Sequence, residues 1–229
     1  MKKGEIYEGR VQEVLFPDKA IVVTDEGETA QVKYGIPGQK LRFRVKKKRK
    51  EKIEGILLEV LEKSADETAC LCEWAGKCGG CLYQTLPYEK QLAIKEAQIK
   101  KMLDNGGTDY TFEGIVSSPV VSGYRNKVEL TFGDSYMGGP LALGMHQRGS
   151  FYDIAGIETC QIMTPDMRMA AMAVLDHFSK LNIPFYHRMR HEGVLRLARI
   201  RADGFAEFRL RTDDIEHVIA DLKRQTKRL

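Results

Sequence analysis

The feature that most constrains this chain is the spacing of its cysteines. Three of the five lie in one short stretch with the spacing Cys72-x5-Cys78-x2-Cys81, and a fourth, Cys160, lies far downstream. Four thiolates suit a soft metal ion or a cluster, such as Zn²⁺ or [4Fe–4S]. Structural zinc sites with four cysteines usually combine two short knuckles, so the three-plus-one spacing favours an iron–sulfur cluster. Zinc and unliganded buried thiols are the alternatives.

We call Cys72, Cys78, Cys81 and Cys160 the four-cysteine set. Residues 70–84 form the expected cluster loop, in which glycines let the backbone wrap closely around a metal centre. The fifth cysteine, Cys70, is not expected to be a ligand. A polar N-terminus without an apolar signal segment argues against disulfides and predicts a cytoplasmic protein. No apolar run is long enough to span a bilayer, so no membrane association is expected.

The first 61 residues have the pattern of a small β-barrel. Apolar and polar residues alternate with period two in short stretches separated by glycine-rich turns. The expected strands cover residues 5–11, 20–24, 29–32, 41–46 and 53–61. Five short strands in about 60 residues are typical of an OB-like barrel, a fold that often binds nucleic acid.

Positive charge is concentrated in this first part. The chain has a net charge of +4, and residues 1–60 already contain 14 basic and 10 acidic residues. Nine basic residues and one acid lie between Lys40 and Lys52, a density that indicates contact with a polyanion. The alternative is a strand kept soluble by its lysines. The candidate RNA-binding residues here are Arg42, Arg44, Lys46, Lys47 and Lys48.

Residues 62–229 are expected to form one central domain with the cluster loop and further β-structure. The sequence predicts helices over residues 87–103 and 164–181, and strands within residues 112–160 and 194–211. The predicted fold class is therefore α+β, an OB-like barrel followed by an iron–sulfur-bearing α/β central domain. Specific RNA contact is expected at Arg125, Asn126, Lys127 and Arg148, with a structural salt bridge or turn as the alternative.

The order of these features resembles the TRAM-containing RNA (uracil-C5) methyltransferases, which use S-adenosylmethionine. The resemblance covers nearly the whole chain, and the cysteine spacing is its most specific part. The matching stretches are residues 72–84, Tyr124-Arg125-Asn126-Lys127, residues 143–150, Ile157-Glu158-Thr159-Cys160 and Gly193-Val194-Leu195-Arg196. By this resemblance the barrel, residues 1–61, is TRAM-like, and the four-cysteine set matches the four [4Fe–4S] ligands of the family.

The resemblance implies a function in RNA methylation. The chain is expected to be the RNA-binding, cluster-bearing N-terminal portion of a 23S rRNA or tRNA uracil-C5 methyltransferase, and a monomer. Methyl transfer to uracil C5 needs a cysteine nucleophile and a general base. Every cysteine here is assigned to the cluster or lies in its loop, and no glycine-rich strand-to-helix turn appears.

We therefore expect no catalytic residue in this chain. The Rossmann-like methyltransferase domain, and with it S-adenosylmethionine, is expected to be absent. Two alternatives to the methyltransferase interpretation stay open. One is a zinc-stabilised RNA-binding module without methyltransferase activity, and the other is an iron–sulfur electron-transfer protein.

Overall fold

The computed structural model describes residues 1–49, 52–107, 109–150 and 152–202, together with the backbone of residues 206–210. These residues form ten strands and two helices. In chain order they are β1 (Ile6–Leu15), β2 (Lys19–Val23), β3 (Thr29–Lys33), β4 (Lys40–Arg49), β5 (Lys52–Glu62), α1 (Tyr88–Asp104), β6 (Lys127–Asp134), β7 (Leu141–His146), β8 (Ile154–Ala155), α2 (Pro165–Lys180), β9 (Leu195–Arg201) and β10 (Ala206–Leu210).

The first five strands close into a barrel in the order β1-β2-β3-β5-β4. β3 and β5 pair in parallel over a short contact, and the other described pairs are antiparallel. The period-two pattern of β4 is realised because Leu41, Phe43 and Val45 are buried in the barrel core, while the basic residues between them face outward. The five strands expected from the sequence are therefore all present.

Helix α1 belongs with this barrel. Tyr83 and Leu86, just before the helix, join the buried barrel core, and Ile94 of the helix packs against it. The buried amide of Gln98 donates hydrogen bonds to the carbonyl oxygen of Val14 (3.1 Å) and to the Tyr83 hydroxyl (3.3 Å). These contacts attach the helix to β1 through a polar group that has lost its contact with water.

The remaining strands form a second sheet in the order β10-β9-β6-β7-β8. Helix α2 packs on this sheet through Met167, Ala171 and Phe178, and the Phe178 ring meets Phe132 of β6 edge to face at 5.5 Å. The helix begins as its sequence predicts. Thr164 accepts a hydrogen bond from the backbone N–H of Met167, and Pro165 occupies the first helical position.

The chain divides into two compact units. Unit 1 comprises Met1–Cys70 and Leu82–Ser118, and unit 2 comprises Leu71–Cys81 and Pro119–Leu229. This division differs from the expected boundary after residue 61, because the apolar residues around α1 are buried in the barrel core. The cysteine loop is assigned to unit 2, whereas the residues that follow it, from Leu82 to Ser118, are assigned to unit 1.

The expected α/β architecture of the central domain is wrong. All described strand pairs of the second sheet are antiparallel. An α/β layer structure needs parallel strands joined by crossover helices, whereas neighbouring antiparallel strands need only tight turns. The short connection between β6 and β7 is of this second kind. Neither helix of the described residues has the length and apolar character needed to span a bilayer.

Candidate functional site

The cysteine loop, residues 71–81 of unit 2, is built from turns. The backbone N–H of Ala75 donates to the Cys72 carbonyl (3.0 Å), and the N–H of Cys78 donates to the Trp74 carbonyl (2.8 Å). Gly76 lies between these bonds with a φ of 81°, a left-handed conformation that favours glycine. The two turns fold the chain back on itself between Cys72 and Cys78.

The end of this loop runs alongside the end of β7. Gly79 donates a backbone hydrogen bond to the His146 carbonyl (2.9 Å), and the Arg148 N–H donates to the Lys77 carbonyl (2.7 Å). A Cβ added at Gly79 would lie 2.9 Å from the same His146 oxygen. A side chain is therefore excluded at this position, and the loop backbone can approach the sheet closely only because residue 79 is glycine.

The Arg148 side chain braces the same loop. It is half-buried, and its Nε donates to the Cys78 carbonyl (3.1 Å) while its Nη2 donates to the Cys81 carbonyl. The guanidinium therefore binds the backbone beside two of the cysteines. Arg148 was predicted to bind RNA. In the structure it holds the carbonyls of Cys78 and Cys81, and its contact with RNA stays a prediction.

Thr159, the residue before Cys160, contacts the cysteine loop. The N–H of Glu73, next to Cys72, donates to the Thr159 hydroxyl at 3.0 Å. Arg168, in the first turn of α2, donates to the Cys160 carbonyl at 2.9 Å. The chain before α2 is thereby held against the start of the cysteine loop.

The other three cysteines of the set lie close enough to Cys81 to affect the pKa of its thiol. Burial raises the pKa of the Cys81 thiol to about 12, and the charges of Cys78, Cys160 and Cys72 act in the same direction. Burial also raises the pKa of Cys78, although the Gly80 N–H donates to its sulfur at 3.3 Å and opposes this effect. Thiols from two distant parts of the sequence are therefore close enough to influence each other electrostatically.

The chemistry of this donor set fits a soft metal. All five cysteines are free thiols, and those of the four-cysteine set are half-buried. Within the described part of the chain, no three His, Cys, Asp or Glu side chains are already arranged to hold a metal ion. Since burial raises the pKa values of the Cys78 and Cys81 thiols, metal binding at these two sulfurs must release protons.

Arg125, Asn126 and Lys127 are exposed at the start of β6. The backbone N–H of Arg125 donates to the Ile162 carbonyl (3.0 Å), and the Asn126 carbonyl accepts from Ala202 (2.9 Å). The charge of Arg125 also lowers the pKa of Cys81, against the larger effect of burial. The backbone of this stretch is therefore fixed while its side chains face solvent, close to the four-cysteine set.

The basic residues of β4 differ in their contacts. Arg42 lies between two carboxylates, with Glu8 at 2.9 Å and Glu59 at 2.6 Å, and Lys48 donates to the Met1 carbonyl (2.8 Å). Apart from Lys48, the exposed basic residues of this strand without an ion pair to any described residue are Arg44, Lys46, Lys47 and Arg49. The predicted polyanion contact therefore has these four cations of β4 available, whereas Arg42 already has anionic partners.

A second group of basic and aromatic residues in unit 2 was not anticipated from the sequence. The loop between α2 and β9 contains the run Tyr186-His187-Arg188-Met189-Arg190-His191, and the ring of Tyr152 stacks on His187. The alternation of aromatic and basic side chains in this run could have indicated a nucleic-acid contact. The sequence does not reveal the stacked pair, because Tyr152 lies more than thirty residues before His187.

Comparison with known proteins relates most of the chain to RNA methyltransferases. It is 41% identical over 202 residues to an uncharacterized RNA methyltransferase of Caldanaerobacter subterraneus subsp. tengcongensis, and 41% identical over 202 residues to one of Clostridium tetani. Each match covers 88% of this chain and 44% of the relative. The chain thus spans less than half the length of these curated relatives. No family model matches the chain.

A solved structure shares the fold. The crystal structure of the Pyrococcus abyssi tRNA (uracil-54, C5)-methyltransferase, in complex with S-adenosyl-L-homocysteine, matches with a TM-score of 0.59 and 20% sequence identity. The match covers 89% of this chain and 45% of that protein. At this identity the likeness establishes a common fold.

These matches correct the expectation that the methyltransferase domain is absent. Methyltransferases match 88% of the chain in sequence and 89% in structure, so nearly all of it is methyltransferase-related. The expectation rested on two short motifs, a glycine-rich turn and a spare cysteine, whereas the relationship extends over 202 residues. Over most of its length, the chain is related to RNA methyltransferases.

Proposed function

We propose that this stretch of the protein binds RNA for a uracil-C5 methyltransferase that uses S-adenosylmethionine, and that its four-cysteine set holds a [4Fe–4S] cluster. The observation that carries the proposal is that Cys160 lies close enough to Cys78 and Cys81 to affect the pKa of both thiols, in a chain related to RNA methyltransferases. The ligand in the Pyrococcus abyssi structure, S-adenosyl-L-homocysteine, supports the choice of methyl donor.

The surroundings of the cysteines suit a structural centre. A cluster bound by Cys72, Cys78, Cys81 and Cys160 would join the loop covalently to the chain before α2. Arg148 and Arg168 already hold the backbone carbonyls of three of these residues, which fixes the positions from which the sulfurs project. The cluster would supply cross-linking and no electron transfer in the methyl transfer itself.

The exposed cations suit RNA. Arg44, Lys46 and Lys47 are positioned to contact phosphates along the barrel, because they are exposed and lack a described carboxylate partner. Near the cysteines, the side chains of Arg125, Asn126 and Lys127 offer a fork-shaped donor, an amide and an ammonium. These groups combine charge with hydrogen-bonding geometry, which base recognition requires and a lysine run alone does not provide.

Metal analysis of anaerobically purified protein tests the cluster. We expect a brown protein with iron and acid-labile sulfide, and Cys160→Ser should lose both. Cys70→Ser is the matched control and should retain them. A colourless protein with one tightly bound zinc would instead favour the zinc-stabilised RNA-binding module, and full iron occupancy in Cys160→Ser would exclude Cys160 as a ligand.

Salt dependence of RNA binding tests the basic strand. The logarithm of the affinity for a labelled RNA should fall steeply with the logarithm of salt concentration. Reversing Arg44, Lys46 and Lys47 to glutamate should reduce that slope by about two to three, since each lost phosphate contact removes about 0.7–0.9. The matched control reverses Lys19, Lys63 and Lys95, which lie outside β4. Equal slopes in the two variants would contradict a specific role of the strand.

A further inference from the structure

We propose that the loop between α2 and β9, residues 181–194, forms with Tyr152 a platform on which an unpaired RNA base stacks. We call it the stacking platform. The inference rests on the proposed function for the class of polymer, RNA, and adds a second contact surface in unit 2. Nothing in the cysteine site or in the basic strand β4 requires these residues.

Backbone hydrogen bonds and one glycine close this loop. The N–H of Tyr186 donates to the Leu195 carbonyl (2.8 Å), and the N–H of His187 donates to the Glu192 carbonyl (2.7 Å). Gly193 has a φ of 90°, and a Cβ there would lie 2.0 Å from the Phe185 carbonyl oxygen. The loop therefore closes only with glycine at this position.

Two aromatic contacts define the surface. The rings of Tyr152 and His187 stack with centroids 5.5 Å apart and planes 14° from parallel. The Arg196 guanidinium lies 3.9 Å from the centroid of the Tyr186 ring, and the Tyr186 hydroxyl is 2.9 Å from His191 Nδ1. Arg196 thus contacts the face of the Tyr186 ring, and His191 contacts its hydroxyl. The loop contributes His187 to the Tyr152 pair and Tyr186 to the Arg196 pair.

The platform remains accessible after these contacts are made. Tyr152 is 41% exposed although it stacks on His187, and Met189 at the tip of the loop is 72% exposed. Exposed aromatic side chains give up apolar contact area that a purely structural pair would bury. A nucleobase is the flat, polarizable group that a ring of this kind accepts irrespective of sequence.

The charges around the rings select an anionic polymer. Arg188 and Arg190 belong to the loop, and Arg196 lies on the Tyr186 ring. Glu192, the one acid between Tyr186 and Arg196 in the sequence, pairs with Arg190 at 3.6 Å, so these residues keep an excess of positive charge. The charge of Arg188 also reaches His146, where it adds to burial in lowering the pKa of that imidazole. Since His146 binds the cysteine loop through its carbonyl, the platform lies near the four-cysteine set of the same unit.

Unpaired RNA is the occupant that combines these features. Single strands expose base faces for stacking and phosphates for arginine, whereas duplex RNA presents its phosphates and keeps its bases stacked on each other. An acidic peptide would satisfy the arginines but would leave the rings without a partner. The platform should therefore prefer a single strand to a duplex and to a plain polyanion.

The test measures fluorescence anisotropy of a labelled oligouridylate single strand of about 12 nucleotides with the full chain. Tyr152→Leu should weaken binding about 5- to 150-fold, the range that corresponds to loss of one stacked base. Tyr152→Phe keeps the ring and should bind within about twofold of the unmodified protein. Arg190→Gln should reduce the slope against salt by about one.

Met169→Ala changes an exposed methionine of α2 outside the platform; it is the matched control and should leave affinity unchanged. Circular dichroism and thermal unfolding of Tyr152→Leu check that the fold is retained, and Tyr152→Phe separates the ring from the hydroxyl.

Unchanged affinity in Tyr152→Leu, with a normal response to the β4 reversals, would overturn the platform and leave the proposed function standing. Absence of any RNA binding by the unmodified chain would overturn both. Equal binding of polyglutamate and oligouridylate would overturn base stacking in favour of a simple anion site.

Discussion

At the scale of single residues, Gly79 sets how closely the cysteine loop approaches β7. Gly79→Ala should destabilise unit 2 by about 1–3 kcal/mol, the usual cost of overpacking, because the new Cβ would lie 2.9 Å from the His146 carbonyl oxygen. Chemical denaturation measures the loss. Gly80→Ala is the control, since a Cβ there meets its nearest neighbour at an ordinary 3.5 Å. Equal effects of the two substitutions would contradict the close-approach explanation.

The Cys81 thiol predicts how the metal-free protein responds to pH. Its pKa is raised from an ordinary 9.0 to about 12, mainly by burial, so the folded state favours the protonated thiol. The stabilising contribution is complete below about pH 9 and is lost as the pH rises towards 12. Thermal unfolding of metal-free protein should therefore show a Tm that falls above pH 9.

Cys81→Ser removes this titration and should flatten the upper part of that pH profile, while Cys70→Ser should leave it unchanged. Metal-loaded protein should lack the decline, since bound sulfur is already deprotonated. A metal-free Tm that rises between about pH 9 and 11 would contradict the burial of this thiol.

At the scale of elements, α1 is attached to the barrel through one buried amide. Gln98→Leu should destabilise unit 1 by about 1–3 kcal/mol, because the Val14 carbonyl loses its hydrogen bond from Gln98 Nε2 and the Tyr83 hydroxyl loses a partner. Denaturation with urea measures this loss. Lys95→Leu, on an exposed position of the same helix, is the control and should change stability little. A neutral Gln98→Leu would show that apolar contacts alone hold the helix.

The same scale explains which elements were predictable. The strands of the barrel and both helices follow local patterns, namely the period-two alternation of β4 and the capped start of α2 at Thr164 and Pro165. Strand pairing in the second sheet did not follow from these patterns. Alternation shows which residues of a strand share a face, but it does not show which strand lies beside it or in which direction.

At the scale of the whole molecule, all four cysteines lie in unit 2, and the barrel core lies in unit 1. Cys160→Ser should therefore lower stability in unit 2 and leave the barrel protected. Hydrogen exchange measures both at once: amides of β6 and β9 should exchange faster, while those of β1 and β4 should keep their rates. Cys70→Ser is again the control, and equal acceleration in both units would contradict the assignment.

The candidate site shows the same division between local and long-range information. The spacing of the cysteines predicts that four of them form one site, and this stays a prediction, whereas the outward basic residues of β4 followed from alternation. The binding of Arg148 to the carbonyls of Cys78 and Cys81 could not be predicted, since it depends on where β7 ends relative to the loop. The stacking of Tyr152 on His187 likewise depends on two loops that meet only in the folded chain.

The sequence by itself determined the strands of the barrel and the two helices, because hydrophobic period and capping residues act over a few residues. Tertiary structure alone decided that α1 joins the barrel, that the second sheet is antiparallel, and that Arg42 has carboxylate partners. The physical reason is that these outcomes depend on burial and pairing between residues far apart in the chain, which no local pattern encodes.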